Sequence, residues 1–158
     1  MLSENMKIVP LLNNANFGAG FDTDSFKALG SRVTVIMQFG AVSGDAVLKC
    51  YSGASAGAKT SAMNFKIAVG GGVVGAASAD VLTAWTDVVA ATGTELTGAT
   101  YQNKVAVCEI DVAAMDVTNG EEWLTMEISS AATSGILHMV AILEKPRYTE
   151  NMSATLLA

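Results

Sequence analysis

The most restrictive feature of the sequence is a strict alternation of side-chain character along residues 104–112, KVAVCEIDV. The odd-numbered positions hold both carboxylates; these residues are Val105, Val107, Glu109 and Asp111. The even-numbered positions between them are all apolar, namely Ala106, Cys108 and Ile110. A period of two places alternate side chains on opposite faces of a β-strand, whereas a helix needs a period near 3.6. The segment therefore predicts a strand with one buried face.

Other segments share this strand composition, being rich in β-branched or aromatic residues and bounded by Gly, Asn, Asp or Ser. They are 32–39, 45–51, 62–69, 121–129 and 135–144, with weaker candidates at 21–28 and 81–97. Asn119-Gly120 is the clearest turn signal. The 158 residues, without a repeat or linker, predict one all-β domain, an antiparallel two-sheet sandwich. Helix is expected only in short pieces, within 78–91 or at 112–116.

The composition indicates a surface that is partly covered. Charged residues make up 15% of the chain, against about 25% in an average soluble domain, and the mean hydropathy is +0.39. We expect copies of the chain or a larger partner to cover part of the surface, with a compact monomer of Ser/Thr-rich exterior as the alternative. The net charge of −6 and the nine scattered basic residues argue against nucleic acid as a partner.

Neither secretion nor membrane insertion is expected. The first residues, MLSENMKIVPLL, lack the apolar core of a signal peptide. The longest apolar stretch, near GILHMVAIL, is about half of what a bilayer requires. Cys50 and Cys108 lie in separate strand-like runs without C-x-x-C spacing, which favours buried reduced thiols over a disulfide or a metal site.

Two short motifs suggest enzymes but have the wrong surroundings. Gly70, Gly72 and Gly75 satisfy G-x-G-x-x-G, yet the following residues are rich in Thr and Val and no second β-then-helix unit exists. We interpret these glycines as a flexible connection leaving a strand, where they give the backbone freedom or let another chain approach closely. Residues 53–57 satisfy G-x-S-x-G around Ser55, but a strand follows where a nucleophile elbow needs a helix.

The remaining polar residues have structural interpretations. His138 is the single histidine and lies in a run that is apolar on both faces, which predicts a hydrogen-bonded core or interface histidine. The acidic residues are interpreted as charged sandwich surface; they are Asp22, Asp24, Glu109, Asp111, Glu121 and Glu122. They lack the spacing of an EF-hand or a glycosidase cleft. We therefore expect a non-enzymatic protein without catalytic residues, cofactor or metal.

Several segments carry a resemblance to a known family. LNNANFGAGFDTDSFKALG, the strand RVTVIMQF, the turn GAVSGDAVLKCYSG and the end AILEKPRYTENMSATLLA resemble capsid decoration, or cement, proteins of tailed bacteriophages. The likeness spans nearly the whole chain but is one of pattern and length, without a diagnostic motif. It implies a jelly-roll domain that binds the outside of the phage head and locks neighbouring capsid subunits together.

The resulting expectation is a virion structural protein on the capsid exterior, made in the host bacterial cytoplasm. Its expected partners are the major capsid protein and itself, with a homotrimer favoured and a homodimer as runner-up, and neither nucleic acid nor membrane. The alternative is a carbohydrate- or receptor-binding β-sandwich module on a virion or tail.

The expected organisation is an N-terminal arm (1–12), a β-sandwich (13–146) and a C-terminal arm (147–158). Apolar and basic residues of the arms are predicted to make the assembly contacts; they are Met6, Ile8, Val9, Leu11, Leu12, Arg147, Tyr148, Leu156 and Leu157. On this basis, deleting residues 1–12 is expected to leave the sandwich folded but to weaken assembly.

Overall fold

The computed structural model describes residues 6–28, 30–130 and 134–144. This part of the chain is predominantly β-structure. The strands are β1 (Met6–Asn16), β2 (Phe21–Asp22), β3 (Phe26–Lys27), β4 (Arg32–Ser43), β5 (Ala46–Gly53), β6 (Ser61–Met63), β7 (Phe65–Val69), β8 (Thr86–Val88), β9 (Thr94–Leu96), β10 (Val105–Asp111), β11 (Trp123–Ser130) and β12 (Ser134–Glu144). Helical structure in these residues is limited to one turn, α1 (Gly98–Tyr101), and to 3₁₀ turns at Val112–Ala114 and Val117–Asn119.

The strands form two antiparallel sheets with the connectivity of a jelly roll. Sheet A has the order β1-β12-β4-β10-β7-β8, and sheet B has the order β2-β11-β5-β6, with β3 on β11 and β9 on β5. Along the chain, β1 lies in sheet A, β2 and β3 in sheet B, β4 in sheet A, and β5 and β6 in sheet B, and β1 lies beside β12. Two interlocked Greek keys produce this order. The predicted all-β sandwich of jelly-roll type is confirmed.

The core lies between the two sheets and follows the period of two. In β10, Ala106, Cys108 and Ile110 are fully buried, whereas Val107 and Glu109 on the other face are only half-buried. The predicted alternation is therefore confirmed. Inward residues of β4, β11 and β12 complete the core, and each large aliphatic side chain buried there contributes about 1.5–3 kcal/mol.

The predicted strand at 62–69 is two strands that belong to different sheets. It breaks at Asn64: β6 pairs with β5 in sheet B, and β7 pairs with β10 in sheet A. The Asn64 side chain accepts a hydrogen bond from the Ala90 amide (2.8 Å), which ties the corner to the segment after β8. This chain segment therefore crosses from one sheet to the other.

The short helix expected within 78–91 is absent there, while the 3₁₀ turn at Val112–Ala114 falls within the other expected position. Instead of forming helical turns, the segment 78–91 makes hydrogen bonds to β7. The Thr83 amide donates to the Val69 carbonyl (2.8 Å), and Thr83 Oγ1 accepts from the Val69 amide (3.0 Å). The single helical turn α1 was not expected from the sequence.

Residues 6–12 are not an arm but the first part of an edge strand. β1 pairs with β12 from Met6 opposite Glu144 to Asn16 opposite Ile136. An edge strand tolerates Pro10 because, among the described strands, β12 alone pairs with β1. The arm boundary predicted at residue 12 therefore falls inside the sandwich, and the predicted C-terminal arm (147–158) lies outside the described residues.

Candidate functional site

The outer face of sheet A carries an apolar row that crosses four strands. The strand registers place Val107 of β10 beside Ile36 of β4, Ile36 beside Val140 of β12, and Val140 beside Pro10 of β1. The solvent-facing side of an antiparallel sheet normally presents polar side chains. This row is therefore unusual for a face that no other part of the described chain is known to cover.

Adjacent rows widen this surface. Ile142 and Ile8 form a pair on one side of the row, while Val105 and Ile136 lie on the other. We call these residues the sheet A patch: Ile8, Pro10, Ile36, Val105, Val107, Ile136, Val140 and Ile142. Ile8 is 60% exposed, and Ile36 and Ile136 are also exposed. From strand and row spacings the patch measures roughly 300 Å², a size at which apolar surface often marks an interaction site.

Ion pairs border the patch at one end. Arg32 contacts Glu144 (3.1 Å) and Glu109 (3.5 Å), and Lys66 lies 3.7 Å from Asp87. The hydrogen bond to Glu144, followed by the charge of Glu109, raises the pKa of the Arg32 guanidinium. These exposed pairs add little to stability, but they give the patch a defined polar margin.

His138 lies between Val140 and Ile136 on the same face of β12, half-buried beside Gln38. Its Nδ1 accepts a hydrogen bond from the Asn14 amide of β1 (3.3 Å). The predicted hydrogen bond is present, and it joins the edge strand to its neighbour rather than satisfying a fully buried ring.

The connection between β7 and β8 extends the apolar surface. Val73 and Val74 are exposed, and together with Gln38, Gly40 and Asn103 they line a hollow of about 350 Å³. Further along the same connection, Val81, Leu82 and Trp85 are also exposed. Val73 and Val74 thus lie next to the end of β4 that borders the patch.

The glycines of this connection let the chain fold back on itself. The Gly71 amide donates to the Val81 carbonyl (2.8 Å), and a Cβ at Gly70 would lie 2.9 Å from the Ala79 carbonyl oxygen. No helix begins at Gly75 in the described chain, where β-structure and turns follow. The neighbours of Gly71 and Gly72 belong to this same connection, whereas nothing lies within 4 Å of a Cβ placed at Gly75.

The outer face of sheet B is polar, and its aromatic rings are already covered by cations. Lys27 Nζ lies 5.3 Å from the Trp123 ring centroid and bonds Glu122 (2.6 Å). On the same face Lys59 Nζ lies 5.7 Å from the Tyr51 ring. Lysines over both rings leave less aromatic surface open to a ligand.

Lys59 is also the centre of an ion-pair network on this face. It contacts Glu127 (2.5 Å) and Asp22 (3.1 Å). The hydrogen bond to Glu127 raises the pKa of Lys59. Asp22 therefore belongs to a charged surface, as the sequence predicted.

The prediction that Glu121 belongs to the charged surface is wrong. It is 3% exposed, and its carboxylate accepts hydrogen bonds from Ser52 Oγ (2.5 Å) and Ser61 Oγ (2.8 Å). A buried carboxylate requires such partners. Only the adjacent Glu122 lies at the surface. Because Ser52 and Ser61 are about 60 or more residues away in sequence, no local signal identifies this site.

The structure also locates the other candidate residues from the sequence analysis. Ser55 is exposed in the β5–β6 connection, and strand β6 follows it. Cys50 and Cys108 are buried free thiols, as predicted, and burial raises the pKa of Cys50 to about 12. No group of three or more His, Cys, Asp or Glu residues suited to a metal ion occurs within the described ranges.

The predicted assembly residues are divided by the fold. Val9 and Leu11 are each 3% exposed and pack in the core, so neither presents surface in the described chain. Ile8 belongs to the sheet A patch, while Met6 and Leu12 are half-buried in β1. Four others, Arg147, Tyr148, Leu156 and Leu157, lie outside the described residues.

Comparisons with protein-family models, with curated proteins and with solved structures gave no match. In the part of the chain that the structure describes, no helix is long and apolar enough to cross a membrane.

Proposed function

We propose that this protein is a non-enzymatic structural protein of a phage virion that binds the outer surface of the head and cements capsid subunits. The observation that carries this proposal is the sheet A patch, an apolar surface across four neighbouring strands. An apolar surface spread over a sheet face suits a broad partner, such as an assembled protein shell.

Two features support this choice of partner. The sequence pattern resembles that of capsid decoration proteins, and the jelly-roll topology recurs in viral capsid domains. A fold alone does not define a function, so the patch carries the argument. The low fraction of charged residues, 15%, fits a protein whose surface is partly covered in its working state.

The size of the patch indicates how it binds. A stable interface buries about 800 Å² on each partner, and the patch supplies roughly 300 Å². Val73 and Val74 enlarge the footprint at one side. A single copy therefore binds weakly, and several linked copies around a capsid axis hold tightly through avidity.

The test is co-sedimentation of the purified protein with phage heads that lack it. Ile36→Asp places a charge in the middle of the apolar row and is expected to weaken binding at least about 30-fold, the effect of losing a central contact. Val117→Asp is the matched control, because Val117 is 75% exposed in a 3₁₀ turn outside the patch. Equal binding by both variants, with unchanged melting temperatures, contradicts the proposal.

The alternative function is a carbohydrate-binding module that uses Trp123 and Tyr51 on the outer face of sheet B. The observation in its favour is that the strand pairing puts both rings on the same outer face of sheet B, although Lys27 and Lys59 lie over them. Titration with glycans of the host envelope, followed by tryptophan fluorescence, distinguishes the two. A saturable change that Trp123→Ala abolishes and Trp85→Ala retains supports the alternative.

A further inference from the structure

A cavity of about 220 Å³ lies between the β7–β8 edge of sheet A and the segments β9 and α1. Its floor consists of buried side chains, and its walls carry several hydroxyl groups and one ammonium group. The floor residues are Ile67, Val69 and Tyr101, and the wall residues are Thr83, Thr86, Thr94, Thr100 and Lys104. None of the described residues that line the cavity has a carboxylate, although the chain carries a net charge of −6.

Lys104 is the single cation among the described lining residues. It lies two residues before Ala106, so it has the same orientation as the inward-facing Ala106 and Cys108 of β10. Its ammonium group makes neither an ion pair nor a hydrogen bond with another described residue, whereas Lys59 and Lys66 pair with carboxylates. The cavity therefore contains a positive charge that the described chain leaves unbalanced.

The wall hydroxyl groups are available as hydrogen-bond donors. Thr83 Oγ1 accepts a hydrogen bond from the Val69 amide (3.0 Å), and Thr100 Oγ1 accepts one from Thr97 Oγ1 (3.1 Å). A hydroxyl group that accepts a hydrogen bond still has its own proton to donate. Thr86 makes no side-chain hydrogen bond with another described residue. Hydroxyl protons on the β7–β8 connection, on β8 and on α1 are thus available to a ligand.

Tyr101 closes the floor of the cavity as a neutral group. It is 4% exposed, and its hydroxyl group is hydrogen-bonded to Thr94. Desolvation by burial raises the pKa of Tyr101, so the phenol stays protonated at neutral pH and adds no negative charge. Ile67 and Val69 are also buried and keep the local polarity low. A low local dielectric strengthens the attraction between the Lys104 ammonium group and an anion.

We propose that this cavity binds a small tetrahedral oxyanion of the size of phosphate or sulfate. Lys104 supplies the positive charge, while Thr83, Thr86 and Thr100 donate hydrogen bonds from separate segments. Donors on several walls suit an ion with four acceptor oxygens better than a planar carboxylate, which has two. The cavity has the volume of about seven water molecules at roughly 30 Å³ each. This inference does not depend on the capsid proposal, because it concerns the isolated protein.

The test is a titration of the full chain with inorganic phosphate, followed by the backbone amide resonances at an ionic strength held constant with sodium chloride. We expect saturable shifts at Thr83, Thr100 and Lys104. Lys104→Met keeps most of the side-chain length but removes the charge. The dissociation constant should therefore rise at least about tenfold, the effect of losing a charge-assisted hydrogen bond.

Lys66→Met is the matched control, because it removes the same charge from an exposed position on the outer face of β7. It should change the dissociation constant by less than about twofold, as expected for an exposed ion pair. The melting temperature of each variant shows whether it is folded. Absence of saturable shifts in the wild type, or equal dissociation constants for the two variants, overturns the proposal.

Thr86→Val tests the hydroxyl donors without altering the charge. Valine has nearly the same shape as threonine and suits a strand, so we expect the fold to be retained and the dissociation constant to rise about three- to tenfold. Thr92→Val is its control, because the Thr92 hydroxyl group donates to the Val89 carbonyl (3.3 Å) and does not line the cavity. Phosphate binding by Thr86→Val that equals that of the wild type overturns the assignment of the donors.

Sulfate and acetate identify the kind of oxyanion. Acetate represents the carboxylate of a partner's side chain, which is the other source of an oxyanion. We expect sulfate to compete with phosphate, and acetate to bind at least about tenfold more weakly because it leaves donors without an acceptor. Acetate that binds as tightly as phosphate overturns the assignment to a tetrahedral oxyanion.

Discussion

Glu121 shows how a single buried carboxylate fixes the connection before β11. It accepts hydrogen bonds from Ser52 and Ser61, so its loss leaves two hydroxyl groups without their acceptor. We expect Glu121→Ala to lower the free energy of unfolding by about 1–3 kcal/mol, measured by urea denaturation. Glu122→Ala is the matched control: Glu122 is exposed and paired with Lys27, so it should cost less than about 1 kcal/mol. An equal decrease in the free energy of unfolding for both variants contradicts this account.

Because of the Cys50 thiol, we expect the free energy of unfolding to depend on pH in the alkaline range. Desolvation by burial raises its pKa to about 12 in the folded state, against an ordinary value of 9.0. Its stabilising effect is therefore complete below pH 9 and is lost as the pH rises towards 12, because the unfolded chain releases the proton first. Between these values the free energy of unfolding should fall by about 1 kcal/mol per pH unit from this group. The difference between wild type and Cys50→Ala, measured by denaturation at pH 8 and at pH 10, isolates this contribution; parallel curves would disprove it.

At the scale of elements, β1 combines a core face and a surface face. Leu11 is buried and Ile8 is exposed in the same strand. Leu11→Ala is expected to lower the free energy of unfolding by about 2–5 kcal/mol, whereas Ile8→Ala should change it by no more than about 0.5 kcal/mol. Both are measured by urea denaturation. The structure accordingly reverses the expectation for deleting residues 1–12, which now should destabilise the sandwich as a whole.

The strands that could be predicted are those with an unbroken local pattern. β10 shows its alternation in seven consecutive residues, and β4 and β12 are long β-branched runs. β1 was missed because Pro10 and the polar stretch Asn13–Asn16 interrupt its pattern, and because register shifts occur on both sides of Leu12. A chain that bulges loses the period of two although it stays paired.

The sheet A patch could be predicted only in part. The alternation of side chains in β10 already places Val107 on the face away from the core, together with Glu109. The row from Val107 to Pro10, however, depends on which residues of β4, β12 and β1 lie opposite each other. Register is a long-range property, since shifting one strand by one residue would reverse its faces. No pattern within one segment reports it.

At the scale of the whole molecule, apolar surface occurs in two regions with different roles. The sheet A patch lies on the outer face of sheet A, and it is the surface that we propose binds the capsid. The second region, formed by Val81, Leu82 and Trp85 in the β7–β8 connection, projects from the other edge of sheet A. An exposed tryptophan among aliphatic residues is a frequent centre of protein interfaces. A contact of this kind with a different surface on the next copy closes into a ring when the rotation between copies divides a full turn evenly.

We therefore predict that the free protein is a homo-oligomer, with a trimer favoured over a dimer, and that Trp85 contributes to its interface. Trp85 is 43% exposed in one chain, so replacing it with alanine removes a large apolar contact without opening the core. Trp85→Ala should shift the mass measured by light scattering at micromolar concentration towards that of one chain, 16.2 kDa. Ile36→Asp should leave this mass unchanged while it weakens head binding, because it alters the patch alone. A wild-type protein that is monomeric under these conditions contradicts the prediction. If Ile36→Asp dissociates the oligomer and Trp85→Ala does not, the self-association surface is the sheet A patch instead.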